Sequence, residues 1–141
     1  MLDKKVIKQL FPIFNEIELL EELSEFGIEK SYNKDDIVIR KGEYMKFVPL
    51  IISGSIKVMR EDDIGNEVLL YYLEGGNTCA MSITCCLKEE KSNIWAITEE
   101  ETKVLRMPIM TADKWMKQDA NWRNVIMESY ATRRNELLHT V

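Results

Sequence analysis

The sequence predicts a mainly β domain, an antiparallel sandwich or barrel with flanking helices, and three observations carry that prediction. Between Gly27 and Pro108 the chain divides into seven short β-rich segments, most of them separated by turn signals. Before Gly27 the apolar residues recur at the spacing of a helix, and after Pro108 that spacing returns. Residues 1–26, 27–110 and 111–141 are therefore read as N-terminal helices, a barrel, and C-terminal helices.

In the first part the helical pattern is made by Val6, Ile7, Leu10, Phe11, Phe14, Ile17, Leu20 and Leu23. Pro12 lacks a backbone donor and interrupts the run. Two short helices are expected, one before Pro12 and one from about Asn15, whose side chain is a candidate cap.

The β segments are Ile28–Tyr32, Asp36–Arg40, Phe47–Ile52, Ser55–Arg60, Val68–Leu73, Ile94–Thr98 and Lys103–Met107. Between them lie Asn33–Asp36, Lys41–Glu43, Ser53-Gly54, Glu61–Asn66 and Glu74–Asn77, whose Gly, Asn and Asp tolerate tight turns. Many short strands at close turn spacing indicate a sandwich or barrel. Beyond Pro108 an apolar stripe runs through Trp115, Met116, Trp122, Val125, Ile126, Tyr130, Leu137 and Leu138. Such a face must be buried, either on its own barrel or against the same helix of a second chain.

Two groups of residues carry more than secondary structure. Ile39–Glu43 followed by Ile51–Val58 sets Gly42 and Gly54 twelve residues apart, each joining β segments where the chain can reverse at a barrel corner. Any double-stranded β-helix, a cupin included, would show this much. Then come Glu74–Ser82, Ser92–Thr98 and Thr102–Pro108, a glycine turn leading toward further strands. In the order of these motifs, over roughly Gly27 to Leu138, the chain resembles the sensor domain of bacterial transcription regulators of the CRP/FNR group. The resemblance implies a double-stranded β-helix (jelly roll or β-roll) of cyclic-nucleotide-binding type. A short helix entered from Gly75-Gly76 would face the inside of an eight-stranded roll, beside a long C-terminal helix from Asp119 to Leu138.

The resemblance also points to sites. Ligand contacts are expected from Gly76, Thr78, Ala80, Met81, Ser82, Lys91, Ser92 and Asn93. Family members that bind cyclic AMP carry Gly-Glu at the start of the short helix, to hold the ribose, and an Arg before Ser-Ala, to neutralise the phosphate. Here Ala80-Met81 takes the Gly-Glu place, and no arginine occurs between Arg60 and Arg106. A cyclic phosphate entering an apolar barrel without a partner would be costly. Lys88 and Lys91 lie near the right place, yet an ammonium cannot reproduce the bidentate fork of a guanidinium. Backbone N–H groups at the start of that helix, with Thr78 and Ser82, are an alternative weak anion site. The expected effector is an unknown small molecule, and no cofactor is assigned.

Self-association is expected through Trp122, Ile126, Tyr130, Arg133 and Leu137, giving a homodimer. Arg123, Arg133 and Arg134 form a solvated face, or pair with acids of a partner, or reach toward a ligand pocket. In regulators of this kind a winged helix-turn-helix follows the sensor, and DNA contact is expected only through such a module, absent from this chain. The formal net charge of -5 agrees, because a duplex attracts basic surfaces.

Other chemistries find little support. Three cysteines, two of them adjacent at Cys85-Cys86, with Cys79 apart, suit reduced, buried thiols better than a disulfide framework or a cluster needing about four thiolates. A thiol sensor is the minority reading. The lone histidine, His139, argues against a cupin-type metal enzyme and against Ser-His catalysis. A non-catalytic scaffold remains the third reading. Apolar stretches such as Val48–Ile52 fall far short of the roughly 20 residues that span a bilayer, and no secretory signal opens the chain. No membrane partner and a cytoplasmic location are expected.

Overall fold

A computed structural model describes residues 3–78, 91–92 and 94–127. Helix α1 (Lys4–Leu10) opens at Asp3, whose Oδ1 accepts from the backbone N–H groups of Lys5 and Val6 at 3.0 and 3.3 Å. Pro12 then begins a 3-10 turn over Pro12–Asn15, a first-turn position where its missing donor costs nothing. Helix α2 (Ile17–Phe26) follows. Asn15 does not cap it. The 3-10 turn holds Asn15 within itself, its Nδ2 donating to the Pro12 carbonyl at 3.0 Å, and Glu16 occupies the cap position without a side-chain bond.

Among the described residues seven strands come next: β1 (Ile28–Tyr32), β2 (Ile37–Ile39), β3 (Phe47–Ser53), β4 (Ser55–Glu61), β5 (Glu67–Glu74), β6 (Ile94–Thr98) and β7 (Thr102–Pro108). Each expected β segment is present, with ends that differ by one residue at most. The strands form two antiparallel sheets in the orders β1-β7-β3 and β2-β6-β4-β5. Single bridges add Thr78 to Leu50 and Lys91 to Tyr44. This is the two-layered roll the sequence predicts, and the segment expected to hold the short inward helix lies outside the described residues.

Two cores share one wall. Between the sheets pack Tyr32, Ile51, Val58, Leu73, Ile94 and Val104, among others. On the outer face of the first sheet, Val48, Leu50, Leu105 and Met107 meet the helices. Strands β3 and β7 are thus apolar on both faces, which is why Val48–Ile52 reads as a continuous run and not as an alternation. Pro49 sits in β3, which lies at the end of its sheet among the described residues.

Two glycines make the corners possible. Gly54 (φ +96°) turns β3 into β4, and a Cβ there would stand 2.4 Å from Thr102 Oγ1 and 2.6 Å from the Glu101 carbonyl oxygen. Gly76 (φ +91°) turns the chain after β5 against the Leu10 carbonyl of α1. Only glycine adopts such backbone angles without strain.

Helix α3 (Ile109–Gln118) leads to a break at Asp119, after which residues 120–127 are again helical. Asp119 Oδ1 caps the new helix by accepting from the Trp122 N–H at 2.8 Å. Arg123 reaches back to the Met116 and Lys117 carbonyls at 2.9 and 3.2 Å, filling acceptors that the end of α3 leaves open. Arg123 therefore takes a helix-capping role within its own chain, one that was not among those the sequence suggested. Trp122 and Ile126, expected at a dimer contact, are 1% and 5% exposed and belong to the helix-side core. Trp122 packs on Trp115 and Phe14 with ring centroids 5.0 and 6.3 Å apart. Tyr130, Arg133, Arg134, Leu137, Leu138 and His139 lie outside the described residues.

Candidate functional site

The residues singled out in the sequence bracket one stretch of chain. On its near side the turn after β5 is pinned to β3: the Gly76 N–H donates to the Ile51 carbonyl at 2.9 Å, and the Ile51 N–H donates to the Asn77 carbonyl at 3.0 Å. Thr78 is buried and its Oγ1 donates to the Pro49 carbonyl at 3.0 Å. On its far side, Ser92 exchanges backbone bonds with Gly42 and Glu43, at 2.8 and 2.9 Å. The buried Ser92 hydroxyl donates to the Ile94 carbonyl at 2.7 Å and accepts from the Ile94 N–H at 3.2 Å. Lys91 places its Nζ 5.9 Å from the Tyr44 ring centroid. The Thr78 and Ser92 hydroxyls are thus engaged by backbone at the two ends of the stretch. Ala80, Met81, Ser82, Asn93 and the three cysteines lie outside the described residues, as does Lys88.

A cleft of about 270 Å³ opens where β1, β2 and the end of β7 meet the connection into β3. Lys30, Arg40, Lys46 and Arg106 line it, against the single carboxylate of Glu43. Among the described residues none of these four cations has an ion-pair partner. Arg106 sits over Phe47, its guanidinium carbon 4.0 Å from the ring centroid. Its Nε is buried and has no hydrogen-bond partner among the described residues, a state that costs about 1–3 kcal/mol for an ordinary donor. Lys30 Nζ stands 4.9 Å from the centre of the Tyr32 ring.

Tyr32 is buried beside these charges. Burial pushes its phenol above the ordinary value, the Arg106 charge pulls it back, and Asp36 pushes it up again. Its hydroxyl therefore stays a neutral donor and acceptor at neutral pH. No group of three His, Cys, Asp or Glu suited to a metal occurs among the described residues. Nor is any helix among them long and apolar enough to cross a membrane.

Arg106 was not among the residues the sequence singled out. The signal was its phase: Val104 faces the space between the sheets, and side chains two apart on a strand share a face. An arginine at an inward position of an otherwise apolar strand is the clue. It is obscured because Leu105 and Met107, on the other face, are apolar too.

Comparison with known proteins gives this architecture its place. The sequence profile of the cyclic nucleotide-binding domain matches residues 29–119, from β1 through α3. The chain belongs to that family.

Solved structures agree on the fold. A protein described as a transcriptional regulator of the Crp/Fnr family from Eubacterium rectale is 23% identical, with a TM-score of 0.81, over 92% of this domain. The sensor domain of the transcriptional regulator DNR from Pseudomonas aeruginosa is 19% identical, with a TM-score of 0.71, over 98% of this chain and 95% of its own. The catabolite activator protein of Thermus thermophilus is 20% identical, with a TM-score of 0.69, over 93% of this chain. The chain spans about three fifths of the first and third of these, 61% and 60%. No curated protein sequence gives a significant match. The resemblance to CRP/FNR sensor domains read from the motif order is therefore upheld.

Proposed function

We propose that the chain is the effector-sensing and dimerisation domain of a CRP/FNR-like transcription regulator, one that does not take cyclic AMP in the usual way. The observation that carries this reading is a missing cation inside a family fold. The chain has no arginine from 61 to 105, where cyclic-AMP binders of the group supply one, and Ala80-Met81 stands at the Gly-Glu place. A buried phosphate would lack its guanidinium, and a ribose its carboxylate.

In this reading the terminal helix is a lever. Its first turns are anchored to the barrel by Trp122 and Ile126, and the contact with a second chain falls to Tyr130, Arg133 and Leu137. An effector held near Gly76, Thr78, Lys91 and Ser92 biases the lever, and the second subunit feels the bias through that contact. DNA is reached only through a further module, in keeping with the net charge of -5.

The test uses the 141-residue chain. Calorimetry with cyclic AMP is expected to show no binding at micromolar concentrations. Sedimentation equilibrium is expected to show a dimer that Leu137→Asp dissociates, and a gel shift is expected to show no tight, sequence-specific DNA complex. Micromolar cyclic AMP binding, or a monomer at every concentration, would overturn the proposal.

A further inference from the structure

We propose that the cleft bounded by Tyr32, Phe47 and Arg106 binds a small organic anion, a carboxylate or phosphate ester carried on an apolar body. None of Gly76, Thr78, Lys91 or Ser92 lines it, so it is a site the family resemblance does not point to.

Three features select the anionic group. Four cations face one carboxylate in a chain whose net charge is -5, so the cleft reverses the overall sign. Arg106 is held against Phe47, its guanidinium carbon 4.0 Å from the ring centroid, so packing sets where its charge stands in the cleft. Its Nε–H is buried with no hydrogen-bond partner among the described residues. An anion seated against the Arg106 guanidinium gives it the charge partner that no ion pair among the described residues supplies. Tyr32, kept protonated, adds a neutral donor on the β1 side.

The walls select the body. Val38, Ile39 and Met45 line the cleft along with the rings of Tyr32, Tyr44 and Phe47, so a largely polar cleft carries an apolar portion that the body of such an anion can cover. The volume sits at the lower edge of the roughly 300–1,000 Å³ typical of ligand pockets, which favours a compact anion. This inference does not rest on the sensor role: the cleft binds or fails to bind whatever the chain regulates.

The experiment is a titration of the 15N-labelled chain, followed by amide chemical shifts, with benzoate, phenyl phosphate and, as the cationic control, benzylamine. Saturable shifts are expected at Tyr32, Ile39 and Phe47 with one or both anions and not with benzylamine. A response to benzoate alone assigns carboxylates, and one to phenyl phosphate alone assigns phosphate esters. Arg106→Gln is expected to weaken binding about tenfold or more. The double variant Lys30→Gln with Lys46→Gln touches only exposed side chains and is expected to weaken binding about two- to fivefold and to flatten its salt dependence. The proposal is overturned by the absence of saturable shifts with both anions, by an equal response to benzylamine, or by unchanged affinity in Arg106→Gln. Should that variant fail a thermal-melt check, unaltered affinity and salt dependence in the double lysine variant overturn it instead.

Discussion

Replacing Trp122 by alanine measures how firmly the terminal helix belongs to its own barrel. The indole is 1% exposed and contacts Trp115 and Phe14. A buried aromatic side chain removes about 150–250 Å² from water, which at about 25 cal/mol per Å² is roughly 4–6 kcal/mol. Measured aromatic-to-alanine losses in cores run at about 3–5 kcal/mol, so Trp122→Ala is expected to cost about 4 kcal/mol. For a domain of this length that lowers Tm by roughly 10–20 °C. Circular dichroism melts at two protein concentrations, roughly a hundredfold apart, are the assay, because a loss within one chain does not depend on concentration whereas a loss at an interface does. Trp122→Phe supplies the control. The indole Nε1 is buried without a hydrogen-bond partner among the described residues, so phenylalanine removes that donor along with some contact, and about 1 kcal/mol is expected. A loss below about 1 kcal/mol in Trp122→Ala, or one that grows on dilution, would refute the fold-back of this helix.

Three further outcomes follow from geometry already described. Gly54→Ala places a methyl group 2.6 Å from the Glu101 carbonyl oxygen at a positive φ, and urea unfolding should show a loss of about 3 kcal/mol. Thr98→Val removes the hydroxyl that accepts from the Asp36 N–H at 2.9 Å and donates to the Asn33 carbonyl. With Thr98 fully buried, the same assay should read a loss of about 1–3 kcal/mol. Tyr32 has a pKa above its unfolded value of 10.0. The unfolded chain therefore loses that proton first, so the contribution is complete below pH 10.0 and disappears as pH rises through the folded value. Ultraviolet titration of tyrosinate should assign this late ionisation to Tyr32, Tyr32→Phe should remove it, and Arg106→Gln should move it later still.

The strands were legible because turn chemistry and β-rich composition punctuate them, and their ends are set by the residues that do so. Gly54 and the Asn33–Asp36 corner mark reversals that the structure contains. The interruption at Pro12 was equally plain, since a missing donor is a local fact. Capping was less so. Whether Asn15 or Glu16 starts α2 depends on a 3-10 turn whose hydrogen bonds no spacing rule anticipates. The stripe on the terminal helix told that a face is buried but not what buries it, and the answer, Phe14 and Trp115, comes from elements far apart in sequence. The cleft was the least legible feature. Its cations stand on β1, the β2–β3 connection and β7, and only the antiparallel pairing of β1 with β7 brings Arg106 beside that edge.

The β3–β7 pair works as a diaphragm with no wet side. Val104 touches the chamber between the sheets while its chain neighbour Leu105 touches the helices, and Ile51 and Leu50 repeat this on the adjoining strand. The membrane between the compartments is one peptide thick. Leu105 and Met107, the chain neighbours of Arg106, lie in one core with the rings of Phe14, Trp115 and Trp122, so a single layer of backbone separates the cleft from the packing beneath the terminal helix.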